Sequence, residues 1–303
     1  MAEIDFPRNR TKRARLDYVV ETLSDPERIR AILRPRIEYT AYALGQLEPG
    51  LFERARWFWA KGDTGTGLVL HSRGGLGDAT FMMGDSDAVR AILSIYPGTA
   101  QTYSTCQPQH LDVLRSVYRL ASQQPMIRMS VTRETFQPVV KAGLVNLSGL
   151  DIRRINGLYS SEGNGSYYVP EHIDAGTYRG VVCEGRLVAI AGTHVVSPQE
   201  HVAVVGNVFT HPMYRGRGFA TLVTSAVTES LLEYCNPVVL TVDPSNLPAV
   251  RAYERLGYHE VCQLVEASAA RQDVSGFGAW SRRLRASIRG KRYGGAFVSF
   301  RSQ

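Results

Sequence analysis

The sequence predicts an α/β chain of α+β character: a mixed, largely antiparallel sheet flanked by helices in the second half, preceded by a second α/β domain. Three observations predict it. Hydrophobic residues make up 44% of the 303 residues and charged residues 21%, which supplies packed cores, and a chain of this length suits two of them. Extended and helical patterns alternate up to about residue 130. A hairpin-rich run then ends in a glycine turn that opens an amphipathic helix.

In the first half, Ser24-Asp25-Pro26-Glu27 reads as a capping box opening a helix through Leu33. Extended runs follow at Gly67 to His71 and Ala79 to Met83. The glycine-rich stretches 62–67 and 74–77 do not precede helices as a phosphate loop must, so both predict hairpin turns. Helices over 88–96 and 109–121 flank an extended 100–105, and Met126 to Val131 reads as a closing strand. No chemistry is visible in this half. Polar residues and Pro138 between Thr132 and Ala142 break the pattern. The domains expected are therefore 1–135, 136–272 and a basic C-terminal tail, 273–303.

The second half starts with a helix over Asp151 to Tyr159 and a polar, aromatic loop from Ser160 to Pro170 containing Glu162, Tyr167 and Tyr168. Strands over 177–184 and 186–196 meet at the Glu184-Gly185 turn, and His201 to Thr210 runs antiparallel after them. His211 to Arg215 leads into Gly216-Arg217-Gly218-Phe219-Ala220 and a helix to about Tyr234. Leu222, Val223, Ala226, Val227, Leu231 and Leu232 predict its buried face, with Thr224, Ser225, Thr228 and Glu229 on the other.

The chemistry lies where this strand, loop and helix meet. Two glycines let backbone N–H groups turn inward, and a helix N-terminus adds partial positive charge, a geometry that binds a diphosphate. A P-loop would need Gly-Lys-Ser/Thr, which is absent. A dinucleotide fingerprint places a third glycine where Thr221 stands, and the sheet before the turn reads as antiparallel rather than βαβ.

Arg215-Gly216-Arg217-Gly218-Phe219-Ala220 resembles the Q/R-x-x-G-x-G/A signature of GNAT acetyltransferases, in the place where that family carries it. A second stretch, Asn246 to Tyr258, is similar to the family's N-x-x-A-x-x-x-Y-x-x-x-G-F/Y run, with Ala249, Tyr253 and Gly257 in register. The resemblance covers roughly residues 140 to 265 and implies a GNAT fold there. The first half resembles the degenerate GNAT-like halves that precede some catalytic ones, without a motif to carry the likeness.

The resemblance implies an acetyl-CoA-dependent N-acetyltransferase that moves an acetyl group to a primary amine of a small metabolite, amino acid or peptide. A protein or RNA acceptor, or a non-catalytic acyl-CoA-binding module, are the alternatives. It further implies that Arg215, Gly216, Arg217, Gly218, Phe219, Ala220 and Thr221 hold the CoA diphosphate and that Val208, Phe209 and Thr210 line the pantetheine arm. The Val208 N–H then polarises the thioester carbonyl. Tyr253 protonates the leaving thiolate, or else is a core aromatic on an amphipathic helix. Asn246 contacts the cofactor or caps the helix that Pro248 begins.

Many members of the family place a glutamate as general base on the strand before the phosphate loop, but here that stretch is Val205-Gly206-Asn207. An acceptor amine attacks only when neutral, so an α-amine with a pKa near 8 needs less help than a lysine near 10.4. Glu162, Glu171, His194 and His211 are the candidate bases by position, and Glu162, Tyr167 and Tyr168 the candidate acceptor wall. No metal is implied, and Cys106, Cys183, Cys235 and Cys262 form no CxxC pair and receive no role.

The formal charge of +7 equals the seven basic residues between Ser281 and Gln303, a segment with no acid, so nucleic acid is a partner only through this stretch, read as a solvated tail. No apolar run spans a membrane and the N-terminus lacks a signal peptide's apolar core, so the expectation is a cytoplasmic protein without a membrane partner.

Overall fold

A computed structural model describes residues 15–74, 77–139, 143–163, 168–273, 275–291 and 293–301. The first half runs β1 (Arg15–Leu23), α1 (Pro26–Leu33), α2 (Ile37–Gly45), α3 (Pro49–Phe52), β2 (Ala55–Gly62), β3 (Gly65–Ser72), β4 (Ala79–Gly84), α4 (Ser86–Ile95) and β5 (Gln101–Cys106). Next come α5 (Leu111–Arg115), β6 (Tyr118–Leu120), β7 (Gln124–Val131), β8 (Leu144–Asn146), α6 (Ile152–Tyr159), α7 (Pro170–Asp174), β9 (Arg179–Cys183), β10 (Arg186–Ser197) and β11 (Val202–Thr210). The chain ends with α8 (Phe219–Leu232), β12 (Val238–Val242), α9 (Leu247–Arg255), β13 (His259–Arg271), α10 (Phe277–Gly290) and β14 (Ala296–Arg301).

The strands join in one mixed sheet of order β14-β1-β2-β3-β4-β5-β13-β7-β12-β11-β10-β9-β8. All pairs are antiparallel except β4–β5 and β11–β12, each bridged by a crossover helix, α4 or α8. The run β2-β3-β4-α4-β5 thus repeats in β9-β10-β11-α8-β12. The halves exchange their last strands. β7 follows the first half in sequence yet pairs with β12, and β13 follows the second yet pairs with β5. The two meet in the middle, from His259–Ser130 to Glu266–Gln124.

Helices cover both faces. One face carries the core built on α4 and α10 and the core built on α8 and α9, with Ile127, Met129 and Val131 of β7 in the latter. On the other face α1 and α2 pack where the halves meet, against Leu68 and Phe81 of the first and Val195, Val204 and Val239 of the second. Beside them α6 and α7 cover β9 and β10. Arg30 of α1 adds a bidentate bond to Glu200, a carboxylate 1% exposed in the β10–β11 turn, at 2.7 to 3.0 Å.

Several expectations from sequence change in three dimensions. Asp25, not Ser24, caps α1 by accepting from the Glu27 N–H. The helix expected over 109–121 stops at Arg115, because the following residues form β6 on the edge that β13 offers. Thr224, Ser225 and Thr228 are buried rather than on a polar face: the segment after β7 and helix α9 cover that flank. Ser225 Oγ accepts from the Val139 N–H, and Thr228 bonds the Tyr258 hydroxyl at 2.8 Å. The basic segment after residue 273 is not a solvated tail. Ala279, Ala286 and Gly290 bury one side of α10, and β14 pairs with β1 from Val20–Ala296 to Arg15–Arg301. The Gly62-Asp63-Thr64-Gly65 turn joins β2 to β3 as expected, whereas part of the 74–77 stretch lies outside the described residues.

Candidate functional site

The sheet forks between β11 and β12. Their parallel register runs from Ala203–Val238 to Val205–Leu240, after which β11 continues to Thr210 and β12 to Val242. Two irregularities open the fork. Gly192 pairs with Gly206 but Ile190 with Phe209, so β11 carries one extra residue, and Asn207 there has φ 55°. An extra residue on β10, His194, lies across Gly206, where a Cβ would come within 2.1 Å of the imidazole ring. Val208 packs toward the α8 core and Phe209 toward the α6 core, so consecutive residues line opposite sides of the sheet.

Asn207 is held from three directions. Its carbonyl accepts from the Tyr159 hydroxyl at 2.5 Å, its Oδ1 from the Tyr168 hydroxyl at 2.8 Å, and its Nδ2 donates to the Tyr178 hydroxyl at 2.9 Å. These bonds fix a backbone conformation that costs a non-glycine residue energy. Burial raises the pKa of all three tyrosines and keeps them protonated donors, Tyr178 being pushed up to about 12. Tyr168, expected in the acceptor wall, thus braces the bulge as well. Tyr159, Tyr178 and Asn207 were not singled out from sequence; only the density of aromatics in 159–178 pointed there.

Past the fork, His211 Nδ1 accepts from the Met213 N–H and caps a short 3₁₀ turn, Pro212–Tyr214. Gly216 and Gly218 then take φ 76° and 79°, and Gly218 starts α8. Open space surrounds both Cα atoms, no acid occupies the first turn of the helix, and Arg217 lies over the Tyr214 ring. The exposed loop and uncapped helix start fit a diphosphate such as that of CoA. The equivalent junction in the first half does not: Asp85 caps α4 through the Asp87 and Ala88 N–H groups, putting carboxylate where phosphate would sit.

Glu162 forms an ion pair with Arg215, which also donates to the Thr210 carbonyl at 3.2 Å, so the α6 end is tied to the glycine loop. The Thr210 hydroxyl is buried without a partner among the described residues. Asn246 caps α9 by accepting from the Ala249 N–H at 3.3 Å. Tyr253 is 7% exposed in one core with Val205, Leu240 and Phe219; burial pushes its pKa up to about 12, and its hydroxyl has no hydrogen-bond partner among the described residues. Glu171 is exposed, and Tyr167 lies outside the described residues.

Arg128, also not singled out from sequence, is 3% exposed on β7, in register with Thr241, the first residue of β12 past the pairing. It shares the α2 face with Met126, and its Nε has no acceptor among the described residues. Burial lowers its pKa, with no carboxylate in ion-pair contact among the described residues. Among these residues no three or more His, Cys, Asp or Glu side chains converge as for a metal, no helix is long and apolar enough to cross a membrane, and the four cysteines are free.

Residues 151–258 match the profile of the Acetyltransferase (GNAT) family. No curated protein matches the chain. Among solved structures, a GNAT-family protein from Novosphingobium aromaticivorans is 23% identical over 63% of this chain and 84% of its own, with a TM-score of 0.50. A Drosophila protein is 11% identical over 82% and 98% (TM-score 0.59), and a GCN5-related N-acetyltransferase from Sphaerobacter thermophilus 14% over 84% and 95% (TM-score 0.52). At these identities the structures share the fold. The family match begins at the N-terminal side of α6 and ends after α9, enclosing both the fork and the glycine loop, and residues 151–258 therefore form a GNAT acetyltransferase domain.

Proposed function

We propose that this protein transfers the acetyl group of acetyl-CoA to a primary amine of a small metabolite, amino acid or peptide by direct attack on the thioester. The observation that carries the reading is the glycine-opened, acid-free start of α8 directly beyond a fork in the sheet. Bound there, acetyl-CoA supplies an activated thioester. The N–H groups from Arg217 to Thr221 bind its diphosphate, and Val208 and Thr210 flank the arm within the fork. The Val208 N–H, presented by the bulge at Asn207, receives the charge that develops on the carbonyl oxygen. As the amine nitrogen bonds to the carbonyl carbon, the carbon–sulfur bond breaks, CoA leaves with the electron pair as a thiolate, and the amine gives up its proton to water.

Tyr253 faces the sulfur as a hydrogen-bond donor. A phenol near 12 does not readily hand its proton to a thiolate whose conjugate acid is near 8.5, so the sulfur leaves as a hydrogen-bonded thiolate. No carboxylate stands beside the fork on β11, which supports an acceptor with a low-pKa amine. The buried guanidinium of Arg128, with no carboxylate in ion-pair contact and no acceptor for its Nε among the described residues, favours within that class an acceptor that also carries a carboxylate.

The test is a screen of amine acceptors with acetyl-CoA, followed by free thiol release, paired with CoA calorimetry on Gly218→Val. Amino acids or short peptides are expected to turn over, and the variant to remain folded but bind CoA about tenfold or more weakly, as two or more charge-assisted hydrogen bonds are lost. Unchanged CoA affinity in the folded variant would remove the glycine loop from the site, and NADH binding would support a dinucleotide site instead.

A further inference from the structure

The acyl-transfer site leaves most of the chain's positive charge unused. Part of that charge converges in the first half, where α10 packs on α4 beside a cavity of about 180 Å³. Arg56 of β2, Arg73 just after β3, Arg271 at the end of β13 and Arg283 of α10 line it, and no carboxylate does so among the described residues. Arg56 and Arg283 engage rings instead of acids, their guanidinium carbons 6.0 Å from the Phe58 centroid and 5.8 Å from that of Tyr96. Arg271 donates to the carbonyls of Gly98 and Asp273. The Asp273 carboxylate is turned to the start of α10, where it accepts from the Gly276 and Ala279 N–H groups. His71, also in the wall, is buried and held neutral, its pKa lowered to about 4.

Arg56, Arg73 and Arg283 bring three guanidiniums to one hollow with no carboxylate in its described lining, and a ligand with two or more negative charges complements them. Their planar forks match phosphate oxygens. At the rim, Trp280 is 49% exposed and Phe277 68% exposed, with ring centroids 5.6 Å apart, so a flat apolar surface stands open beside the charged hollow. We propose that this cavity binds a nucleotide, its phosphate among Arg56, Arg73 and Arg283 and its base stacked on the Trp280 ring. The site lies at the C-terminal end of α4, where Tyr96 lines it, and thus away from the helix start that corresponds to the glycine loop of the second half. It does not depend on the acyl-transfer reading.

The test is titration of the full chain at low salt with AMP, ribose 5-phosphate, inorganic phosphate and adenosine, followed by calorimetry. AMP is expected to bind at one site, ribose 5-phosphate more weakly, and adenosine not at all. Arg73→Gln with Arg283→Gln should weaken AMP about tenfold or more without lowering Tm, since both side chains are exposed. Trp280→Ala should weaken AMP but not ribose 5-phosphate, and AMP binding should persist in Gly218→Val, which separates this cavity from the glycine loop. AMP affinity unchanged in the double arginine variant, adenosine as tight as AMP, or loss of AMP binding only in Gly218→Val would overturn the assignment. Tighter binding of a single-stranded RNA, spanning many nucleotides with a steep salt slope, would overturn it in favour of a nucleic-acid surface.

Discussion

Tyr253 shows what a single residue yields at each level. Its place in the N-x-x-A-x-x-x-Y run points to the cofactor sulfur, its burial points to the core, and the structure gives it both a packed ring and a hydroxyl with no partner among the described residues. Tyr253→Phe keeps the packing and removes one hydrogen bond to a charged sulfur, worth about 1.5 to 3 kcal/mol. A fall in kcat of about 10- to 150-fold with unchanged CoA affinity is expected, read by single-turnover kinetics. The pH profile carries a second check. Tyr253 acts protonated, and because its pKa is raised to about 12 the protonated form persists up to about pH 11. kcat/KM should therefore rise as the acceptor amine loses its proton and show no descending limb between pH 8 and 10. Asn207, by contrast, was invisible in the sequence: its three tyrosine partners come from α6, the loop before α7 and the residue just before β9, and only folding gathers them.

At the scale of elements, the glycine loop, β12 and α9 were legible because their signals are local: positive φ at Gly216 and Gly218, a continuous apolar run, and an Asn cap with Pro248 in the first turn. The buried polar flank of α8 was not, since what covers Ser225 and Thr228 comes from distant chain segments. The same holds for the bond between α1 and the β10–β11 turn. Glu200 is 1% and Arg30 26% exposed, and the contact is bidentate, which raises the Arg30 pKa. Glu200→Ala removes two to three charge-assisted bonds across the halves and should lower stability by about 2 kcal/mol, seen in a chain of this length as a Tm about 3 °C lower. An unchanged Tm would make the pair a surface ornament with no role in joining the halves.

For the whole molecule, the exchange of β7 and β13 makes each half incomplete alone. A fragment of residues 136–272 would leave β12 without its antiparallel neighbour and β13 without both β5 and β7. Such a fragment is expected to lack the near-ultraviolet dichroism of packed aromatics, while the full chain melts in one transition. A folded, CoA-binding fragment would show that the second half completes its own sheet.

The fold class and the order of strands and helices around the glycine loop could be read from the chain alone, because each rests on contacts within a few residues: periodicity, caps and glycine backbone freedom. Long-range packing alone sets which strand sits beside which, folds the basic C-terminal segment back onto α4 and β1, and buries Arg128 beside the fork. Those outcomes depend on pairing between residues as much as 286 positions apart, as in Arg15 with Arg301. Strand edges carry no sequence address for a partner; the buried apolar area and the backbone hydrogen bonds of the assembled sheet select it.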